Sequence, residues 1–287
     1  MPGGEILRKR FFLFLIVVLT GILSFHLLTT NSTVSTWQYL EETPVSYFSN
    51  GNLYVRVDAI QGKDKKEEVV FRGFVMLVSN PRAVKVMLPE GGPGSLQKTS
   101  EMAQKAGAVA AVNGGGFFNR PLPGEPLFYP LYYTVQGGRV VTRVDRYNSE
   151  ILVGLTKNGT LMGGTFANPA DIKKAGIVEG VSFRPQLIEN GKRLQKPGGK
   201  AHPRTAIGQK KNGSLLFVVI DGRRPGWSMG VTYYELQEIM MALGAYNAFN
   251  LDGGGSSTMV FKNRVLNKPS DTAGERPVAT SWVIMDS

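Results

Sequence analysis

Apolar and polar positions alternate along Leu53 to Ile60, Val69 to Ser79 and Ala83 to Leu88, and each run is rich in valine. Alternation of this kind puts successive side chains on opposite faces, so three strands are predicted, with turns at Gly62-Lys63 and Asn80-Pro81. The period then changes. Ser95 to Ala106 reads as a helix capped by Ser95 and ended by Gly107, and Ala108 to Val112 is an apolar run of buried-strand length. From Leu131 onward the strands come as hairpins. Gly137-Gly138, Asn158-Gly159, Asn190-Gly191 and Asn212-Gly213 each separate two apolar runs and match the preferred short turns. Leu215 to Ile220 is apolar almost throughout, which implies burial on both faces, and it ends in Asp221-Gly222-Arg223-Arg224. Thr232 and Glu235 form the capping box of a second long helix, with Leu236, Ile239, Met240 and Leu243 on one stripe. Thr258 to Val265 and Pro277 to Met285 complete the sheet. The expected fold class is α+β, a mixed, largely antiparallel sheet with a few packed helices.

One unit of this pattern occurs twice. Gly107-Ala108, Ala111 and Asn113 recur as Gly244-Ala245, Ala248 and Asn250 at a constant offset of 137 residues, and Ser95 and Glu101 align with Thr232 and Glu238. Each copy reads as helix, glycine, buried strand and an asparagine leading toward three glycines, Gly114 to Gly116 and Gly253 to Gly255. An internal helix-strand-loop duplication is therefore expected. If the two strands lie side by side, both glycine loops open at one end of the sheet. Glycines in such loops let backbone N–H groups approach an anion or a sugar closely.

The N-terminus has a different pattern. Arg8-Lys9-Arg10 precedes an apolar run from Phe11 to Leu28, near the length of a membrane span and longer than a usual signal-peptide core. Residues 1–30 are expected to be a cytoplasmic stub and single transmembrane helix, with a cleaved signal peptide as the competing reading, 31–50 a polar stem, and 51–287 one domain outside the cell membrane. Cysteine is absent, which excludes a disulfide framework and thiolate chemistry. Of the formal net charge of +11, the part beyond the anchor keeps +9, which favours an anionic partner such as an envelope polymer. Nucleic acid is not expected among the partners, and protein partners are not specified.

The polar groups expected to converge are Asn113, His202, Arg204, Asp221, Arg223, Asn250, Asp252, Ser256 and Ser257, with Gly115, Gly253 and Gly254 bringing backbone close to the substrate. Aspartates among arginines, a histidine and glycine loops suggest a site that holds an anion while a carboxylate works on a neighbouring carbon or water. The proline-rich Arg120 to Pro130 is a candidate wall or lid. A serine hydrolase lacks its G-x-S-x-G elbow, a P-loop is absent, and one usable histidine with no cysteine argues against a zinc site. No cofactor is expected; a divalent cation between Asp221 and Asp252 stays open.

His202-Pro203-Arg204-Thr205-Ala206-Ile207-Gly208, the Asp221-Gly222-Arg223 strand end, Gly230-Val231-Thr232 before Glu235-Leu236, and Asn250-Leu251-Asp252-Gly253-Gly254-Gly255-Ser256-Ser257 together resemble the phosphodiester glycosidase family. Asn113-Gly114-Gly115-Gly116-Phe117-Phe118 is similar to its first asparagine-glycine motif. The resemblance covers roughly Val84 to Met285. It implies hydrolysis of the C1–O bond of a sugar-1-phosphodiester, with Asp252 as nucleophile or base, Asp221 as the second choice, and His202, Arg204 and Arg223 neutralising the leaving phosphate. Asn113 and Asn250 would hold sugar hydroxyls or an acetamido group. The substrate expected is a phosphodiester-linked envelope or extracellular glycan. A phosphodiesterase cutting P–O and a non-catalytic module binding anionic glycans are the competing readings.

Overall fold

The computed structural model describes residues 24–26, 34, 36–40, 44–118, 128–144, 150–194 and 198–286. Its strands form three sheets, and every pairing among the described residues is antiparallel. The largest has ten strands. Its centre runs Leu53–Lys63, Val69–Val78, Leu215–Ile220, Arg204–Lys210, Ala245–Leu251 and Gln186–Glu189. A five-stranded sheet contains Leu152–Thr156, Ile177–Ser182 and Tyr132–Gln136, and another contains Met259–Phe261, Ala110–Asn113 and Ser281–Ile284. The single sheet expected is thus divided. Close packing between sheets is one reason the division is possible: a Cβ on Gly163 would lie 2.3 Å from the Phe249 ring, so only glycine lets these two sheets meet.

All four expected hairpin turns lie between paired strands, because glycine supplies the left-handed backbone each turn needs. The turn expected at Gly62-Lys63 falls later. Leu53–Lys63 continues through both residues, and the chain reverses where Asp64 accepts backbone N–H groups of Lys66 and Glu68.

The apolar faces make two main cores. Val55, Val57, Met76, Phe217, Val219, Phe249 and Leu251 pack toward the smaller sheets with Val153, Leu155, Trp282 and Ile284. On the opposite face of the large sheet, Leu236, Ile239 and Met240 of the Tyr233–Ala242 helix pack over Ala206, Val218, Leu216 and Ile188. Its capping box forms as predicted, with Thr232 accepting from the Glu235 N–H and Glu235 accepting from the Thr232 N–H. The other repeat helix starts later than expected, at Thr99, after Lys98. Gln97 exchanges two backbone hydrogen bonds with Val278, so the chain stays extended past Ser95 and Ser95 is no cap.

Thr36–Tyr39 and Ser46–Asn50, within the stretch expected to be a stem, are strands joined to Leu53–Lys63. Trp37 is fully buried, which ties this stretch into the second core. Ser24–His26, near the end of the apolar run, are extended and pair with Thr36–Tyr39. The rest of the expected anchor lies outside the described residues, and among the described residues no helix is long and apolar enough to cross a membrane.

Candidate active site

Three strand ends meet at one edge of the large sheet. Arg204 pairs with Ile220 and Thr205 with Leu251, so the start of one strand and the ends of its two neighbours bring Arg204, Asp221 and Asp252 to the same edge. At a strand spacing of about 4.8 Å the backbones of the two aspartates stand roughly 10 Å apart, on either side of Arg204.

The first glycine loop arrives from a different sheet. Ala110–Asn113 and Ala245–Leu251 are not neighbours, yet their loops meet: Asn113 Nδ2 donates to the Asp252 carbonyl at 2.7 Å, and the Asp252 N–H donates to the Gly114 carbonyl at 3.2 Å. Asn113 Oδ1 also accepts from Thr205 Oγ1 at 2.9 Å and from the Thr258 N–H at 3.1 Å. Fully buried and engaged at both ends of its amide, Asn113 positions Asp252 and does not fit the sugar-holding role expected of it. The N–H groups of three loop glycines are likewise engaged within the protein. Gly254 donates to Pro203, Gly114 to the Thr280 carbonyl, and Gly115 to Thr280 Oγ1. What the loops require of glycine is space, since a Cβ would stand 2.7 Å from the Ser182 carbonyl at Gly115 and 2.8 Å from the Pro203 carbonyl at Gly253.

Asp252 remains partly exposed as a residue, but protein surrounds its carboxyl closely. Desolvation disfavours the charged form and pushes its pKa up to about 6, against the lowering effects of the Ser256 hydroxyl, the Arg276 charge and the Gly253 N–H. Along the same strand end and the loop after it the protein leaves polar atoms unpaired: Asn250 Oδ1, Ser257 Oγ and Thr258 Oγ1 are buried and have no hydrogen-bond partner among the described residues. Buried polar atoms are nearly always paired, so such a group marks where a ligand or ordered water completes the structure. Asn250 Nδ2 is already used, donating to the Arg184 carbonyl at 2.9 Å.

Asp221 has the opposite environment. Its carboxylate accepts from Trp227 Nε1 at 2.9 Å, Asn267 Nδ2 at 3.0 Å and the Lys268 N–H at 2.9 Å, and it is 1% exposed. Burial raises its pKa and these three donors oppose the rise. Both oxygens accept hydrogen bonds, which suits a knot holding two loops. Trp227 lies between Arg72 and Lys268, 4.5 and 3.4 Å from its ring centre, and completes the knot.

The cations fall into two settings. Arg204, 6% exposed, donates to the carbonyls of Val231 and Lys200 and stacks 3.7 Å from the centre of the Tyr233 ring, with no carboxylate partner among the described residues. Burial lowers its pKa. Arg223 is exposed, takes a left-handed backbone with φ 57°, and reaches back over Gly254, where an added Cβ would lie 3.1 Å from its Nη2. Its Nε points at His202 Nδ1 from 3.5 Å. Burial first, then Arg223, Arg204 and Lys200, lower the His202 pKa. With Nδ1 facing a donor, the neutral form of His202 carries its hydrogen on Nε2.

Two contributors escaped sequence reasoning. Asp271 and Arg276 form a bidentate pair, Nε to Oδ2 at 2.6 Å and Nη2 to Oδ1 at 3.0 Å, above Gly255. Asn267 joins the Asp221 knot to the Met259 N–H. Opposite charges five residues apart in a loop are common, and no sequence signal separates this pair from a solvated one. The proposed lid, Arg120 to Pro130, lies mostly outside the described residues.

Asp252 and Arg204 at one sheet edge, with Arg223 and His202 beside them and no carboxylate partner for either arginine among the described residues, define a site for an anionic ligand. The model of one protein family, phosphodiester glycosidase, matches residues 106–285 of this chain. The chain belongs to the phosphodiester glycosidase family. Bovine N-acetylglucosamine-1-phosphodiester alpha-N-acetylglucosaminidase is 29% identical over 209 residues, which are 64% of this chain and 38% of that protein. The SPbeta prophage-derived protein YomE of Bacillus subtilis is 43% identical over 83 residues, 29% of this chain and 13% of its own. The chain thus spans well under half the length of these curated relatives. The catalytic domain of the zebrafish N-acetylglucosamine-1-phosphodiester alpha-N-acetylglucosaminidase, auto-inhibited by its pro-peptide, shares the fold, with a TM-score of 0.69 at 23% identity over 85% of this chain and 87% of that one.

Proposed function

We propose that this protein hydrolyses the C1–O bond of a sugar-1-phosphodiester. The observation that carries the reading is Asp252, a carboxylate whose pKa desolvation pushes up to about 6, at the sheet edge it shares with Arg204 and in the loop that Arg223 overlies. Cleavage leaves the bonding electron pair on a phosphate oxygen and adds the hydroxyl of water to C1. The leaving group is a phosphomonoester with a second ionisation near about pKa 6, so it needs charge neutralisation more than a strong proton donor. Arg223 and His202 Nε2–H supply that at the rim, and Arg204 adds a fixed positive charge beneath. Asp252 faces the oxocarbenium-like carbon as nucleophile or as base toward water. The sugar lies along the loop that carries Asp252, backed by the buried Asn250, Ser256, Ser257 and Thr258. Asp221 holds the Arg223 loop in place.

The excess of positive charge supports a phosphate-bearing envelope or extracellular glycan as substrate. Arg8-Lys9-Arg10 and the apolar run behind them support a domain carried outside the cell and held at its membrane.

The test is turnover of an N-acetylglucosamine-1-phosphodiester in heavy-oxygen water by the full chain in detergent, with mass analysis of both products. Label in the sugar is expected. Label in the phosphate would establish P–O cleavage instead, and no label in either product across a panel of sugar phosphodiesters would favour a binding module.

A further inference from the structure

We propose that the cavity beside the Arg139–Val144 strand is a second binding site, which holds a further phosphate-bearing unit of the glycan whose linkage is cut at Asp252. The proposal extends the functional reading above, and the identity of the glycan rests on that reading. The cavity has a volume of about 660 Å³, within the usual range of small-molecule sites. Its walls come from the Arg139–Val144 strand, at the edge of the sheet that contains Leu152–Thr156, and from the Pro169–Lys174 helix. Along the edge strand Thr142 pairs with Thr134 but Val140 pairs with Val135, so Val141 is an extra residue, a bulge that bends the strand. A bulged edge is a poor template for another strand, and the hollow beside it suits a compact ligand.

The lining selects the ligand. Arg139, Arg143 and Lys173 are exposed at the rim, and among the described residues no carboxylate lines the cavity. Neither Arg139 nor Lys173 has a salt-bridge partner among the described residues. Three cations without an acid favour an anion. Thr142, which also lines the cavity, is 3% exposed, and its Oγ1 has no hydrogen-bond partner among the described residues; the same holds for Oγ1 of Thr134, directly opposite on the next strand. An acyl chain would leave these hydroxyls unpaired, whereas the hydroxyls of a sugar phosphate, or water carried with it, complete them. The cavity is also joined to the active site by backbone. The Asp252 N–H donates to the Gly114 carbonyl, the Leu131 N–H to the Gly116 carbonyl at 2.9 Å, and the Phe118 N–H to the carbonyl of Tyr129, a lining residue, at 3.0 Å. Along that path Tyr129 stands at most roughly 25 Å from Asp252, so one polymer chain can occupy both sites.

The test is calorimetric titration of the full chain in detergent with a hexamer of glycerol phosphate. The hexamer has phosphodiesters and hydroxyls but no glycosidic bond, so binding is read without turnover, and this proposal and the functional reading fail separately. Arg139→Gln combined with Lys173→Gln is expected to weaken binding about 5- to 20-fold. Thr142→Val keeps the shape and removes the unpaired hydroxyl; it is expected to weaken binding about 3- to 10-fold while raising the Tm of the free protein. Lys174→Gln removes a charge from the same helix outside the cavity lining and is expected to change the affinity less than about 2-fold. Unchanged affinity in the double variant, or an equal loss in Lys174→Gln, overturns the proposal. Hexyl phosphate binding more tightly than the hexamer, with that affinity lost in the double variant, overturns it in favour of a lipid anion.

Discussion

Replacing Asp252 with Asn tests the centre of the mechanism and its energetic cost together. The carboxyl titrates at about 6 in the folded protein against 3.8 when free. Between those values the folded chain holds a proton that the unfolded chain has released, so stability falls as pH rises through this window, and the loss is complete above it. At about 1.4 kcal/mol per pH unit the cost of ionisation is at most about 3 kcal/mol, and partial solvent contact brings it nearer about 2 kcal/mol. Asp252→Asn keeps the shape and removes the charge. It is expected to be roughly 2 kcal/mol more stable than the wild type at pH 7 and equal to it below about pH 4, while kcat/KM falls by on the order of 10³-fold or more. Denaturant unfolding at pH 4, 5, 6 and 7 with both proteins measures the gap. A gap that is constant with pH would refute the desolvation argument, and wild-type turnover would remove Asp252 from the chemistry.

Arg223→Gly should relieve the left-handed backbone at φ 57° and raise stability by roughly 0.5–1 kcal/mol, while kcat/KM for a phosphodiester falls about 10- to 100-fold; a variant of unchanged kcat/KM would show that the guanidinium does not meet the phosphate. Asp221→Ala leaves Trp227 Nε1, Asn267 Nδ2 and the Lys268 N–H without their acceptor, so a loss of roughly 3 kcal/mol and a shift of tryptophan fluorescence are expected in thermal or urea unfolding; near-native stability would contradict the knot. Gly115→Ala places a methyl 2.7 Å from the Ser182 carbonyl and should cost about 1–3 kcal/mol, read by the same unfolding experiment. Alkaline carbonate extraction of membranes should leave the protein in the pellet, and release into the supernatant would argue against the anchor.

Local signals in the chain predicted many of its elements. The Asn-Gly and Gly-Gly turns, the Thr232 to Glu235 capping box and the apolar Leu215 to Ile220 run each encode their structure over a few residues, because backbone conformation and burial depend there on neighbours in sequence. The sequence also named Asp252, Arg204, Arg223 and His202 as polar groups that converge, since strand ends and glycine loops are where such groups can reach a ligand. Their roles were decided at long range. Asn113 and Asn250 look equivalent in the repeated pattern, yet one is closed by Thr205, Thr258 and Asp252, and the other keeps a buried carbonyl open. Asp221 and Asp252 follow the two apolar strands that flank Arg204–Lys210, but three donors from residues 227, 267 and 268 tie the first into the fold, while at the second desolvation outweighs the donors it has. Hydrogen-bond partners and desolvation are set by segments tens to hundreds of residues away, so only the assembled sheets could distinguish the carboxylate that holds loops from the one available for chemistry.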